Sequence, residues 1–189
     1  MSGIHDGFIF LVTTIVDLYL FILVIRVVLA FAGANYYDPI TQFVVRCTDF
    51  IIKPLRRIIP NVRGIEIATV TLIIVLEFIK FTIIAVLSYN AINLLGVLII
   101  ALADTLKLFL QTYFFAIFIQ AILSWVQPGS PVNVLLYRVT APIMRPIQRL
   151  VPSIGGMDIS PILAMILLQL TIIVIVNPLM AVGLGVTLG

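Results

Sequence analysis

From Phe8 to Phe31 the chain runs for 24 residues with only two charges in it, Asp17 and Arg26, and three more apolar runs of this kind follow. Nothing else restricts the fold as much. A helix needs roughly 20 apolar residues to cross a hydrocarbon core of about 30 Å. Inside lipid every backbone N–H and C=O must find its partner within the protein, which leaves helices or closed barrels. Runs this long and continuous read as helices. Composition points the same way, with 62% hydrophobic and 10% charged residues against roughly 45–50% and about 25% in globular domains. Such a chain would precipitate unless lipid covered it.

The second run is Ile65 to Tyr89, with Glu66 at its start and Glu77 and Lys80 inside. Residues Ser88 to Asn93 carry no charge and make a turn. Leu94 to Val126 then continues for 33 residues, with Asp104 and Lys107 a third of the way in. Either one long tilted helix fills it, or a short apolar segment precedes a span starting near Thr105; the second reading is preferred. Trp125 then falls where an aromatic anchor belongs, at a membrane–water boundary. Ile159 to about Val182 is the fourth span, with Asn177-Pro178 near its end.

Between the first and second spans, Pro39 to Lys53 reads as an amphipathic helix. Gln42, Arg46, Asp49 and Lys53 form one polar stripe, and Ile40, Phe43, Val44, Cys47, Phe50 and Ile51 fill the opposite side. It is too short and too polar to span and should lie in the interface. Lys53-Pro54-Leu55-Arg56-Arg57-Ile58-Ile59-Pro60 follows, and its two prolines keep it from joining either neighbouring helix. This segment recurs as Arg145-Pro146-Ile147-Gln148-Arg149-Leu150-Val151-Pro152. Without a gap, the thirty residues from Pro39 match those from Pro131 identically at nine places, among them Arg46/Arg138, Thr48/Thr140, Pro54/Pro146, Arg57/Arg149 and Gly64/Gly156. Glu66 and Asp158 correspond as acids. Pairing Phe31 with Trp125 extends the correspondence into the spans, with Tyr19 opposite Tyr113, Arg26 opposite Gln120 and Asp17 opposite Gln111; Glu77 falls opposite Gln169.

The fold expected is therefore an all-α membrane protein of four transmembrane helices in two parallel repeats, each with an amphipathic interfacial helix between its spans. The first repeat covers 1–93, with spans about 8–31 and 65–89 and the interfacial helix 39–53. The second covers 94–189, with spans about 105–126 and 159–182 and the interfacial segment 131–145.

Five cations (Arg46, Lys53, Arg56, Arg57, Arg63) lie between the first two spans and three (Arg138, Arg145, Arg149) between the last two. Four spans place both loops on one side, and the positive-inside rule makes that side the cytoplasm. Both termini are then expected in the periplasm. The N-terminal residues lack a basic region and a cleavage site, so no cleaved signal peptide is expected.

Arg26, Lys80 and Lys107 remain inside the membrane with Asp17, Glu77 and Asp104. Glu77/Lys80 and Asp104/Lys107 are spaced to pair along their own helices, and Arg26 is close enough to the inner face to snorkel there. An intramembrane charge is costly and points to function by default. A cluster of Asp17, Glu77 and Lys80, with Lys107, Gln111 and Gln169, is expected to face the bundle interior; mutual neutralisation that fixes helix register or assembly is the preferred reading, and an ion or proton path the competing one. Arg46, Lys53, Arg56, Arg57, Arg138, Arg145 and Arg149 suit anionic lipid headgroups or a cytoplasmic partner. No groove-reading element supports direct nucleic-acid binding.

Catalytic motifs are missing from the sequence: no GxSxG, no HExxH, no phosphate-cradling loop. The single Cys47 excludes an internal disulfide, and the single His5 leaves no metal-ligand set, so no enzyme activity, cofactor or metal is expected. Cys47 reads as a packing residue.

The two copies of P-x(14)-P-x-x-R-x-x-P (Pro39/Pro54/Arg57/Pro60 and Pro131/Pro146/Arg149/Pro152), together with Arg26, Ser124-Trp125 and the Gly-(Ile/Met)-(Glu/Asp) openings of the even spans, give the chain its family likeness. It resembles the YggT family of bacterial inner-membrane proteins, related to the YlmG proteins, in its two-repeat proteobacterial form. The resemblance covers nearly the whole chain. It implies no established biochemical activity. The family's associations are with osmotic or ion homeostasis, cell division and nucleoid organisation, and a plastid relative is linked to c-type haem assembly, for which this chain offers no CxxCH. The expectation is an osmotic-stress or ion-homeostasis factor, or alternatively a scaffold for division, nucleoid or membrane-protein-assembly partners, through self-association or contact with other inner-membrane proteins.

Overall fold

The computed structural model describes residues 2–35, 37–60, 66–89, 93–150 and 158–188, and all its regular structure there is helical. The chain forms α1 (Ser2–Phe31), α2 (Pro39–Arg56), α3 (Ile67–Tyr89), α4 (Leu94–Val126), α5 (Pro131–Leu150) and α6 (Ser160–Thr171). A π-helical turn (Ile172–Val176) then leads without a break into α7 (Asn177–Leu188). Four stretches are long and apolar enough to cross a membrane: Ile9–Phe31, Ile67–Leu87, Leu94–Val126 and Ser160–Leu188. Arg63, Gly64, Pro152, Gly155-Gly156, most of the connection between α3 and α4, and the His5 side chain lie outside the described residues.

The turn from α1 to α2 follows from local chemistry. Gly33 adopts φ +62°, a left-handed conformation that a Cβ disfavours. There Gly33 N–H donates to the Ala30 carbonyl and Ala34 N–H to that of Leu29, closing off the last carbonyls of α1. Asp38 caps α2 by accepting from Ile40 N–H at 3.0 Å, with Pro39 at the first helical position, where its missing N–H costs nothing.

The prolines of the basic motif do not stand apart from the helices. Pro54 lies inside α2, and Pro142 and Pro146 lie inside α5. Pro54 and Pro146 stand within the last five residues of their helices and Pro142 near the middle of α5; each removes a single i→i−4 donor, a local loss that the rest of the helix survives. The basic segments are thus partly the C-terminal turns of α2 and α5 rather than separate hinges.

Leu94 to Val126 is one continuous helix, not a short segment followed by a span from Thr105. It contains no proline, and its one glycine, Gly96, stands in the first turn. The expected end near Val182 is also overrun. The π turn lets Asn177 N–H donate to the Ile172 carbonyl, a local widening that accommodates Pro178 without ending the helix.

These two over-long rods pack on each other, α4 against α7. A Cβ built on Gly96 would sit 2.3 Å from Thr187 Oγ1 and 2.7 Å from the Gly183 carbonyl oxygen. Contact with backbone cannot be relieved by a rotamer change, so Gly96→Ala is expected to lower stability by roughly 1–3 kcal/mol. A Cβ on Gly185 would meet nothing within 4 Å among the described residues, and Gly185→Ala should be neutral or stabilising by about 0.5–1 kcal/mol. Thermal unfolding in detergent reads both; equal behaviour of the two variants would show that the crossing is not tight.

The main core gathers around α1. Leu20, Leu23, Val24, Val27 and Val28 meet Val44 and Ile52 of α2, Ile73 of α3, Ala116 of α4 and Leu135 and Val139 of α5. One apolar cleft is lined by Ile40 of α2, by Leu135 and Val139 of α5, and by Val28 and Ala116 between them. The two connecting helices therefore lie at the same end of the bundle.

Candidate functional site

Lys80, in the middle of α3, gathers carboxylates from three helices. Its ammonium lies 2.8 Å from Asp17 Oδ1 on α1, 2.9 Å from Asp104 Oδ2 on α4, and 2.6 Å from Glu77 Oε2 one turn back on α3. An ammonium has three N–H donors and no acceptor; here it donates to Asp17 and Asp104, while Glu77 Oε2 is in ion-pair contact but accepts no hydrogen bond among the described residues. The node is graded in burial, with Glu77 1% exposed, Lys80 5%, Asp104 20% and Asp17 55%. Asp17 is its open side.

A second charged centre lies where α1, α2 and the start of α3 meet. Arg26, 3% exposed, donates from Nε to Glu66 Oε2 at 2.7 Å. Its Nη1 donates to Thr48 Oγ1 at 2.6 Å and to Asp49 Oδ1 at 2.8 Å. The Thr48 hydroxyl donates to the Val44 carbonyl, and Thr69 donates to Glu66 Oε2. Arg56 at the end of α2 pairs with Glu66 Oε1, and Lys53 with Asp49. Burial pushes the Asp49 carboxyl up, but its hydrogen bonds from Arg26 and Lys53 outweigh that and hold it below the usual carboxylate range. Arg26 does not snorkel to the lipid surface as expected. The acids brought by α2 and by Glu66 reach its guanidinium first.

The corresponding positions of the second half carry the same contacts without arginine. The Gln120 amide and the Thr140 hydroxyl are hydrogen-bonded where Arg26 meets Thr48. Gln148 Nε2 donates to Asp158 Oδ2 at 2.9 Å where Arg56 meets Glu66. Asp158 also accepts from Ser160 N–H. Burial raises this carboxyl, and the Ser160 and Gln148 hydrogen bonds more than offset it.

Of the residues expected in the intramembrane cluster, the structure brings together Asp17, Glu77 and Lys80. It adds Asp104, which pairs with Lys80 rather than with Lys107. Lys107 is half-buried and makes no ion pair among the described residues; Gln111 and Gln169 are exposed on the outer faces of their helices. At the other site Arg46, Lys53, Arg57, Arg138, Arg145 and Arg149 are exposed, and Arg56 is half-buried on Glu66. Asp104 escapes the sequence argument because i,i+3 spacing finds partners only within one helix. Thr48 and Thr140 left a trace that could have found the second site: an identical hydroxyl in both copies, on the side of the helix that packs inward.

Comparison with known proteins agrees with the sequence pattern. An uncharacterized protein of Pseudomonas aeruginosa is 36% identical over 185 residues, 96% of this chain and 94% of that one. One from Vibrio alginolyticus is 38% identical over 163 residues, 85% and 88% of the two chains. The uncharacterized protein YggT of Escherichia coli K12 is 36% identical over 176 residues, 92% of each. No solved structure matches. The CCB3/YggT profile matches residues 6–87 and again 99–179. With both halves of the chain covered by that profile and the relatives aligned over most of their length, the protein belongs to the CCB3/YggT family.

Proposed function

We propose that this is a non-enzymatic protein of the bacterial inner membrane, built of two repeats over 1–93 and 94–189, that contributes to ion homeostasis and osmotic tolerance through the Lys80 node. The observation that carries this is a charge imbalance. Three carboxylates converge on one ammonium, and two negative charges left over in an apolar surrounding are too costly to stand uncompensated. Protons or a small monovalent cation restore the balance, exchanging through Asp17. Lys107, one turn from Asp104 on α4, is near enough to modulate the exchange. In this reading α2 and α5 lie in the cytoplasmic interface and both termini are periplasmic, which the same-end placement of the two basic helices supports.

Glu77→Gln keeps the shape of the node and removes one acid. Expected in reconstituted vesicles is a proton or potassium flux that this variant reduces about tenfold or more, with unchanged expression. Deletion cells should grow poorly at altered osmolarity and be rescued by wild type but not by Glu77→Gln. Absence of flux with full rescue by the variant would sink the proposal. The exposed cations at one end of the bundle favour a second reading, a membrane scaffold. It predicts partner capture that depends on Arg57, Arg145 and Arg149 and not on Glu77.

A further inference from the structure

A cavity of about 250 Å³ lies beneath α2, between the end of α1 and the start of α3, walled by Arg26, Arg56, Thr41 and Glu66 and floored by the small residues Ala30 and Gly33. Two donors in its wall are buried without a partner among the described residues, the Thr41 hydroxyl and Arg56 Nε. Thr41 is 5% exposed, and native proteins rarely leave such groups unpaired. Of the charged side chains that line the cavity, Arg26 and Arg56 are cations and Glu66 is the one acid among the described residues, which leaves one positive charge unmatched.

Unpaired donors, an excess positive charge and a space far above the roughly 10–15 Å³ that seats one water describe a receptor for an anion. We propose that this cavity binds a phosphate-bearing anion, with Arg56 Nε and the Thr41 hydroxyl donating to phosphate oxygens and Arg26 supplying the buried positive field. Arginine suits this role because its fork of N–H groups matches phosphate oxygens.

The second half contains the control. A cavity of about 410 Å³ is lined by Gln120, Asn133, Gln148 and Asp158, the counterparts of Arg26, Thr41, Arg56 and Glu66. Among the described residues, no lysine or arginine lines it. The anion is therefore expected at the first cavity alone. This inference does not rest on the Lys80 node, which lies elsewhere in the bundle.

The test uses the full chain, delipidated in detergent and titrated by native mass spectrometry with phosphatidylglycerol, phosphatidylcholine and inorganic phosphate. Expected is one high-affinity anion, held about tenfold tighter than phosphatidylcholine. Arg56→Gln, which installs the residue found at position 148, should weaken binding about tenfold, and Thr41→Val about threefold to fivefold. Thr41→Val conserves volume and removes an unpaired hydroxyl, so the anion-free variant should melt at or above the wild-type temperature; it remains informative if Arg56→Gln misfolds. Arg57→Gln removes an equal charge from the exposed surface and should change affinity less than about twofold. Displacement of the lipid by millimolar inorganic phosphate assigns the site to a soluble phosphate; retention assigns it to a lipid headgroup. Wild-type binding by both cavity variants, equal weakening by Arg57→Gln, or no binding of any probe would overturn the proposal.

Discussion

Lys80→Met should be among the most damaging single substitutions in the protein, lowering stability by about 3–5 kcal/mol, the usual cost of removing one partner from a buried ion pair. Three carboxylates on three helices point at the same ammonium. Without it they repel one another where there is little water to screen them, and α1, α3 and α4 lose their shared contact. Second substitutions should recover this loss in order of burial. Glu77, 1% exposed, is the most enclosed of the three acids, so Lys80→Met with Glu77→Gln should regain the most. Asp17, 55% exposed, can turn away, and adding Asp17→Asn should regain the least. Urea or thermal unfolding in detergent measures the series. A single variant that melts within about 1 kcal/mol of wild type would mean that the node is solvated and holds nothing together, and the ion-exchange reading would lose its basis with it.

What the sequence disclosed and what it withheld divide along one line. Properties that repeat along a single helix were legible: the four apolar runs, the polar stripe of α2, the match between Lys53–Pro60 and Arg145–Pro152, and the i,i+3 pair Glu77/Lys80. Properties that depend on which helix faces which were not. Asp104 stands three residues from Lys107 and looks paired with it, yet packing of α4 on α3 delivers it to Lys80. Arg26 looks near enough to water to snorkel until α2 and Glu66 are folded over it. The continuity of α4 was visible in its lack of a breaker, but a span of about 20 residues argued for dividing it. That expectation omits α7, whose glycine-lined contact with Gly96 gives the extra turns of α4 a surface to cover. The prolines misled in a related way, because one missing i→i−4 donor weakens a helix without having to end it.

Arg26→Met and Gln120→Met occupy corresponding positions and should differ widely in cost. The first takes from Glu66 and Asp49 their buried cation, leaving them Arg56 and Lys53, and frees Thr48, so a cost at the low end of about 3–5 kcal/mol is expected. The second breaks one neutral hydrogen bond to Thr140 and should cost about 0.5–1.5 kcal/mol. Acid pH supplies an independent readout. Asp49 is held below its ordinary range in the folded protein, so its contribution to stability is complete above the unfolded carboxylate value and is lost as pH falls through the lower, folded one. Removing Arg26 leaves burial, which pushes the carboxyl up, opposed by Lys53 alone. The acid loss of stability in Arg26→Met should then be smaller than in wild type, because the folded carboxyl no longer lies as far below the unfolded one, whereas in Gln120→Met it should keep its wild-type size. Melting temperatures followed from about pH 3 to 7 cover the range over which carboxylates titrate. Equal destabilisation of the two variants, with acid limbs that coincide, would show that the arginine centre carries no more load than its uncharged counterpart. It would also remove the buried positive field on which anion binding beneath α2 depends.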